Sequence, residues 1–127
     1  MHPNEYYAVC MAKLFHVTEQ DLWDAAQARG RYEMSTRGRS LADEGFIHCS
    51  LRHQIRGVIE RFYADLSDLI LLTIDEDLLA VPVRYEPPAP GVSEEFPHIY
   101  GPIPIAAVSE VQRIHRTPDG NLTLASA

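Results

Sequence analysis

The stretch FIHCSLRHQIRGVIERFYADLSDLILLTI, residues 46–74, decides the fold class. Its middle carries Leu51, Ile55, Val58, Ile59, Phe62 and Tyr63 at steps of four, three, one, three and one, the spacing of a single apolar helix face. Before it, Phe46 to Ser50 reads as a strand, entered from a short turn of helix over Ser40 to Gly45. After it, Leu69 to Ile74 is an unbroken β-favouring run, the pattern of a strand buried on both faces.

Toward the N-terminus, Ala12 to Val17 predicts a strand with Phe15 and Val17 on one face and Leu14 and His16 on the other. A helix should follow, with Thr18 capping it, Asp21 at its positive end, Leu22, Ala25 and Ala26 on one face, and Gly30 as its stop. Arg31 to Arg39 reads as polar loop. Toward the C-terminus come a strand over Val81 to Glu86, which Pro82 places at an edge or at its own beginning, and a stiff Pro87–Gly91 loop. A turn near Ile105 to Ala107, a strand over Val108 to His115 and an Asp119-Gly120 hairpin turn complete the order. Two helices early and mostly strands later, without strict alternation, predict an α+β domain.

The 127 residues, 46% hydrophobic and 23% charged, suit one domain over 1–127 that needs no disulfide or metal to fold. The absence of an 18-residue apolar run and the polar start Met1-His2-Pro3-Asn4-Glu5 predict neither a membrane span nor a secretory signal. Cys10 and Cys49 form no CxxC pair, which points to free thiols in a reducing cytoplasm. A net charge of −7 disfavours general nucleic-acid binding. Yet seven arginines (29, 31, 37, 39, 52, 56 and 61) stand against four acids between Arg29 and Arg61. That segment suits a small phosphate-bearing ligand; the plainer alternative is a solvated, salt-bridged face.

Three histidines stand where strands should end: Phe15-His16-Val17-Thr18, Phe46-Ile47-His48-Cys49-Ser50 and Phe96-Pro97-His98-Ile99-Tyr100-Gly101-Pro102. Imidazole suits both proton transfer near neutral pH and hydrogen bonding to sugar hydroxyls, so His16, His48 and His98 are the candidate catalytic residues. Thr18, Ser50, Tyr100, Arg39 and Arg52 are the candidate ligand-binding residues beside them. The two His-x-Thr/Ser segments leave several readings open. They fit a two-histidine phosphoesterase, although only 32 residues separate them and no internal repeat is visible. They fit a ribose-gripping histidine on a first strand. They also fit plain helix caps at Thr18 and Ser50. A three-histidine zinc site lacks close ligand spacing, and no metal is assigned. Cys49 should face away from His48 as an inert buried thiol.

The order of these segments, above all Gly45-Phe46-Ile47-His48-Cys49-Ser50 and Phe96-Pro97-His98-Ile99-Tyr100-Gly101, closely resembles the bacterial family called domain of unknown function 952, over about residues 12–115. The resemblance implies an ADP-ribosyltransferase-like fold: a mixed or antiparallel split sheet with two main helices. It also implies NAD, or a related nucleotide, as substrate or ligand. His16 would bind a ribose, His48 would lie at the nicotinamide side, and His98 would fill the third position, often glutamate in transferases. Some of Arg37, Arg39, Arg52 and Arg56 would meet the pyrophosphate. The chemistry implied is ADP-ribosyl or 2′-phosphotransfer; a non-catalytic sensor module and a metal-dependent hydrolase are the alternatives.

Overall fold

Strand β6 (Asp68–Asp75) organises the computed structural model, which describes residues 12–127; Cys10 and the first residues of the chain lie outside the described part. Ile70, Leu72 and Ile74 bury on one side of β6, and Leu69 and Leu71 on the other. An uninterrupted apolar run is what two-sided burial requires. β6 is flanked by β1 (Lys13–Thr18) and β10 (Val108–Arg116), and β11 (Leu122–Ser126) closes the order β1-β6-β10-β11. A second sheet has the order β5 (Ile47–His48), β8 (Phe96–Ile99), β7 (Val83–Glu86). The two meet at one antiparallel bridge, where Phe15 N–H donates to Ser50 C=O at 2.8 Å and Ser50 N–H donates to Phe15 C=O at 2.7 Å. Every strand pair described is antiparallel, so of the two expected sheet types the mixed one is excluded.

The alternation read from β1 holds: Phe15 and Val17 join one core cluster, and Leu14 joins the other. Helix α1 (Gln20–Arg29) covers the Leu14 side, and α3 (Ile55–Phe62) covers the Phe15 side with Val58 and Ile59. Between them lies the one-turn helix α2 (Leu41–Glu44), where Ser40 and Asp43 form a reciprocal cap. The α+β class therefore stands. Among the described residues no helix is long and apolar enough to cross a membrane.

Three local expectations fail. Helix α1 buries Trp23 and Ala26, while Ala25 is exposed and Leu22 half-buried, because the contact stripe lies one residue round from that drawn through Ala25. Neither Thr18 nor Ser50 caps a helix: Glu19 is the N-cap of α1, and Gln54 Oε1 accepts from Leu51 N–H at 2.9 Å at the start of the turn leading into α3. The segment Arg31 to Arg39 is not loop but three short strands, β2 (Arg31–Tyr32), β3 (Met34–Thr36) and β4 (Arg39–Ser40). Pairing of β2 with β9 (Ile103–Pro104) buries Tyr32, and Ser35 of β3 is fully buried.

Candidate functional site

The seam between the sheets carries the histidines. His16, on β1, is buried and both ring nitrogens are used. Its Nδ1 lies 2.8 Å from the His48 carbonyl oxygen. That oxygen can only accept, so Nδ1 carries the hydrogen. Its Nε2 lies 2.8 Å from the Tyr32 hydroxyl, which in turn lies 2.7 Å from Thr18 Oγ1. Burial lowers His16 to about 4, the bond to the His48 carbonyl opposing it, so the ring is neutral near pH 7. His16 and Thr18 therefore belong to a closed internal network, and neither lines the large cavity whose wall includes His48.

His48 lies opposite His98 in the β5–β8 register, which puts both side chains on one sheet face. His48 Nδ1 is 3.2 Å from His98 Nε2, and His98 Nδ1 is 2.9 Å from Glu86 Oε1 on the neighbouring strand β7. Tyr100 donates its hydroxyl hydrogen to the same Glu86 oxygen. Those bonds, from Tyr100 first and His98 second, hold the Glu86 carboxyl below the usual carboxylate range. The Phe46 ring stacks on His98 at 4.0 Å between centroids. Burial lowers His48 to about 3, assisted by His98, His16 and Arg61. Its backbone N–H donates to Ser35 Oγ at 3.2 Å, so the segment between Arg31 and Arg39 anchors the strand that presents His48.

His48 forms part of the wall of a cavity of about 430 Å³. Phe46, Phe62 and Phe96 supply aromatic surface, and Pro88, Ala89 and Val92 of the proline-rich loop form part of its lining. Among the described residues His48 Nε2 has no hydrogen-bond partner, and the ring that carries it lines this cavity. Arg61 also lines the cavity without an ion pair among the described residues, its guanidinium 5.5 Å from the Phe62 ring centre. Arg39 lines it too, but is held by Glu44 at 2.6 Å. Gln54 Nε2 donates to Glu94 Oε2 at 3.0 Å, placing that carboxylate on the cavity wall.

Of the sequence-predicted residues, His48 and Arg39 line this cavity. Ser50 borders a separate void of about 10 Å³ shared with His16 and His48, room for roughly one water. His98 and Tyr100 stand behind His48 through Glu86. Arg52 lies 4.6 Å from the Phe15 ring centre and is not among the cavity's lining residues. Arg37 pairs with Asp65, and Arg31 with Glu33 at 3.2 Å, so much of the arginine-rich segment is a salt-bridged surface. Sequence reading missed Glu86, Arg61 and the phenylalanine wall. Cys49 is fully buried on the Leu14 side, and burial pushes its thiol up, as expected of an inert cysteine. No group of three His, Cys, Asp or Glu able to hold a metal ion occurs among the described residues.

A sequence profile described as "Protein of unknown function (DUF952)" matches residues 17–111. The comparison with curated proteins found no match. Among solved structures, the crystal structure of protein CC0527 from Caulobacter crescentus is similar at 26% identity, covering 88% of this chain and 94% of that one with a TM-score of 0.73. The solution NMR structure of CC0527 is similar at 27% identity, covering 85% and 89% with a TM-score of 0.69.

Proposed function

The chain belongs to the family of proteins of unknown function DUF952, and on that footing we propose that its cavity binds a nucleotide-type ligand of the NAD or ADP-ribose class. One observation carries the reading: three phenylalanine rings, Arg61 and His48 line one cavity of about 430 Å³, and among the described residues Arg61 has no ion pair and His48 Nε2 no hydrogen-bond partner. Aromatic walls suit a flat base or a nicotinamide ring, and a guanidinium without a carboxylate suits a phosphate. The free imidazole nitrogen suits a sugar hydroxyl.

What supports an ADP-ribosyltransferase-like reading is the pair of antiparallel sheets that meet with a histidine on each side of the junction. The histidines are assigned differently from the family pattern. His16, its nitrogens occupied, holds the β5 backbone through the His48 carbonyl rather than gripping a ribose. The carboxylates on the cavity wall are Glu44 and Glu94, while Glu86 acts from behind His98. The two-histidine phosphoesterase reading needs both rings on the ligand, which the closed His16 network disfavours. A free, fully buried Cys49 suits the reducing cytoplasm.

Titration with NAD, ADP-ribose and a 2′-phosphorylated dinucleotide, followed by thermal unfolding, tests the reading. A nucleotide at about 100 times its dissociation constant stabilises by roughly 2.7 kcal/mol, and Arg61→Ala should abolish that shift while leaving the unliganded melting temperature nearly unchanged. No stabilisation by any of the three, or a shift that survives Arg61→Ala, overturns it.

A further inference from the structure

We propose that Glu86, His98 and His48 form a proton relay that makes His48 Nε2 the general base for a hydroxyl nucleophile in the cavity. This rests on the nucleotide reading for its substrate, and on hydrogen-bond accounting alone for the relay.

The Glu86 carboxylate only accepts, so the 2.9 Å contact requires the hydrogen to be on His98 Nδ1. One hydrogen then lies between His98 Nε2 and His48 Nδ1, 3.2 Å apart. With both rings neutral, it sits on His48 Nδ1 and is donated to His98. That leaves His48 Nε2 as a bare lone pair on a ring that lines the cavity. After one proton is taken up at His48 Nε2, the Nδ1 hydrogen crosses to His98 Nε2. His48 is again neutral, and the positive charge rests on His98 against Glu86. A histidine that resists charging because it is buried near Arg61 can thus still accept a proton, because the charge does not stay on it.

The charged surroundings favour that transfer. His48 faces the neutral His16 and the cationic Arg61, and Arg61 disfavours a second positive charge beside it. His98 faces Glu86, whose other neighbours are the Tyr100 hydroxyl and Arg84, the guanidinium of Arg84 lying 4.9 Å from the Tyr100 ring centre. Phe46 stacked on His98 fixes the ring plane. Tyr100 and Glu86 are positioning residues, and His48 is the catalytic one.

With NAD as substrate and water as nucleophile, the step balances. A water O–H bond breaks as its oxygen bonds to the anomeric carbon. The bond from that carbon to nicotinamide breaks, and its electron pair leaves with neutral nicotinamide. The released proton is taken by His48 Nε2 and its charge is stored on His98, to be returned to solvent when the product leaves.

Two measurements decide it. Nitrogen-15 NMR of the imidazoles should show His48 as the Nδ1–H tautomer near neutral pH, exchanging to Nε2–H as the pair takes up a proton. Finding His48 in the Nε2–H form throughout overturns the relay whether or not any nucleotide binds. Nicotinamide release from NAD should fall about 100-fold or more in His48→Gln. In Glu86→Gln the plateau should fall and the acid limb of the rate should move to lower pH, because the relay loses the charge that stabilises its protonated form. A slower rate with an unmoved limb assigns Glu86 a structural role only and overturns the relay. Binding of NAD without nicotinamide release overturns the catalytic step but not the nucleotide reading. Failure of NAD, ADP-ribose and the 2′-phosphorylated dinucleotide alike to bind overturns that reading, and the tautomer measurement still decides the relay.

Discussion

Lowering the pH from 7.5 to 5.0 should cost about 4 kcal/mol of folding stability through His16 and His48 together. Burial holds His16 at about 4 and His48 at about 3 in the folded chain, against 6.5 for the ordinary group. Above 6.5 neither the folded nor the unfolded chain carries these protons, so the two rings make no difference. Below 6.5 the unfolded chain takes up a proton on each imidazole and the folded chain does not, so stability falls as the pH falls. The fall continues for each ring until its folded value is reached. At pH 5.0 both lie roughly 1.5 units inside that window, and each removes about 2 kcal/mol. Against a typical stability of roughly 5–15 kcal/mol, that is a large share. Urea unfolding at a series of pH values, with the slope in denaturant checked for constancy, reads the effect directly. The wild type should lose about 4 kcal/mol and His48→Gln about half as much. The carboxyls of Asp43, Asp65 and Glu86, held below their ordinary range, act in the separate window below about 4.5. A wild-type loss under about 1 kcal/mol, or an equal loss in His48→Gln, would refute the assignment of two buried neutral rings.

Tyr32→Phe removes the hydroxyl between His16 Nε2 and Thr18 Oγ1 and leaves a buried ring nitrogen without a partner, at a cost of about 1–3 kcal/mol visible in thermal unfolding. Nucleotide affinity should not change, since none of Tyr32, His16 and Thr18 lines the cavity. Gly101→Ala places a methyl group against the Val81 side chain, 2.9 Å from its Cβ, and should destabilise by about 1–3 kcal/mol. Adding Val81→Ala should recover part of that loss, and additive losses in the double variant would show that the clash lies elsewhere.

The elements legible in the sequence are those whose signal is local. Val58 and Ile59 of α3 declare themselves by periodicity, because the helix packs one face, and β6 by its unbroken apolar run, because the strand is buried on both. The Ser40–Gly45 turn is legible because its cap is made within four residues. Thr18 and Ser50 carry the same local signal and mislead. Thr18 finds the Tyr32 hydroxyl instead, and Tyr32 lies in a segment too short and polar to look like a strand until β9 pairs with it. Trp23 was overlooked for a similar reason: α1 is weakly amphipathic, and only its tertiary partners select the buried stripe.

The candidate site was legible as a set of residue types but not as an arrangement. That His48 meets His98 depends on a β5–β8 register set across 50 residues, and that Glu86 meets His98 depends on where the β7–β8 hairpin closes. A one-residue slip in either pairing would turn a member of the chain to the opposite face, so no inspection of the isolated segments could single out Glu86. The same dependence explains why two segments of one form, His-Val-Thr and His-Cys-Ser, diverge in role. β1 is covered on one edge by β6 and on the other by the Ser50 bridge, so His16 stays off the wall of the large cavity and both its nitrogens are satisfied internally. β5 stops at the seam, and its histidine forms part of the cavity wall. His16 then contributes by bonding the His48 carbonyl, fixing the backbone from which the neighbouring ring reaches the cavity. Replacing His16 would therefore loosen the base rather than remove it, and a loss of binding in such a variant would report on the position of His48.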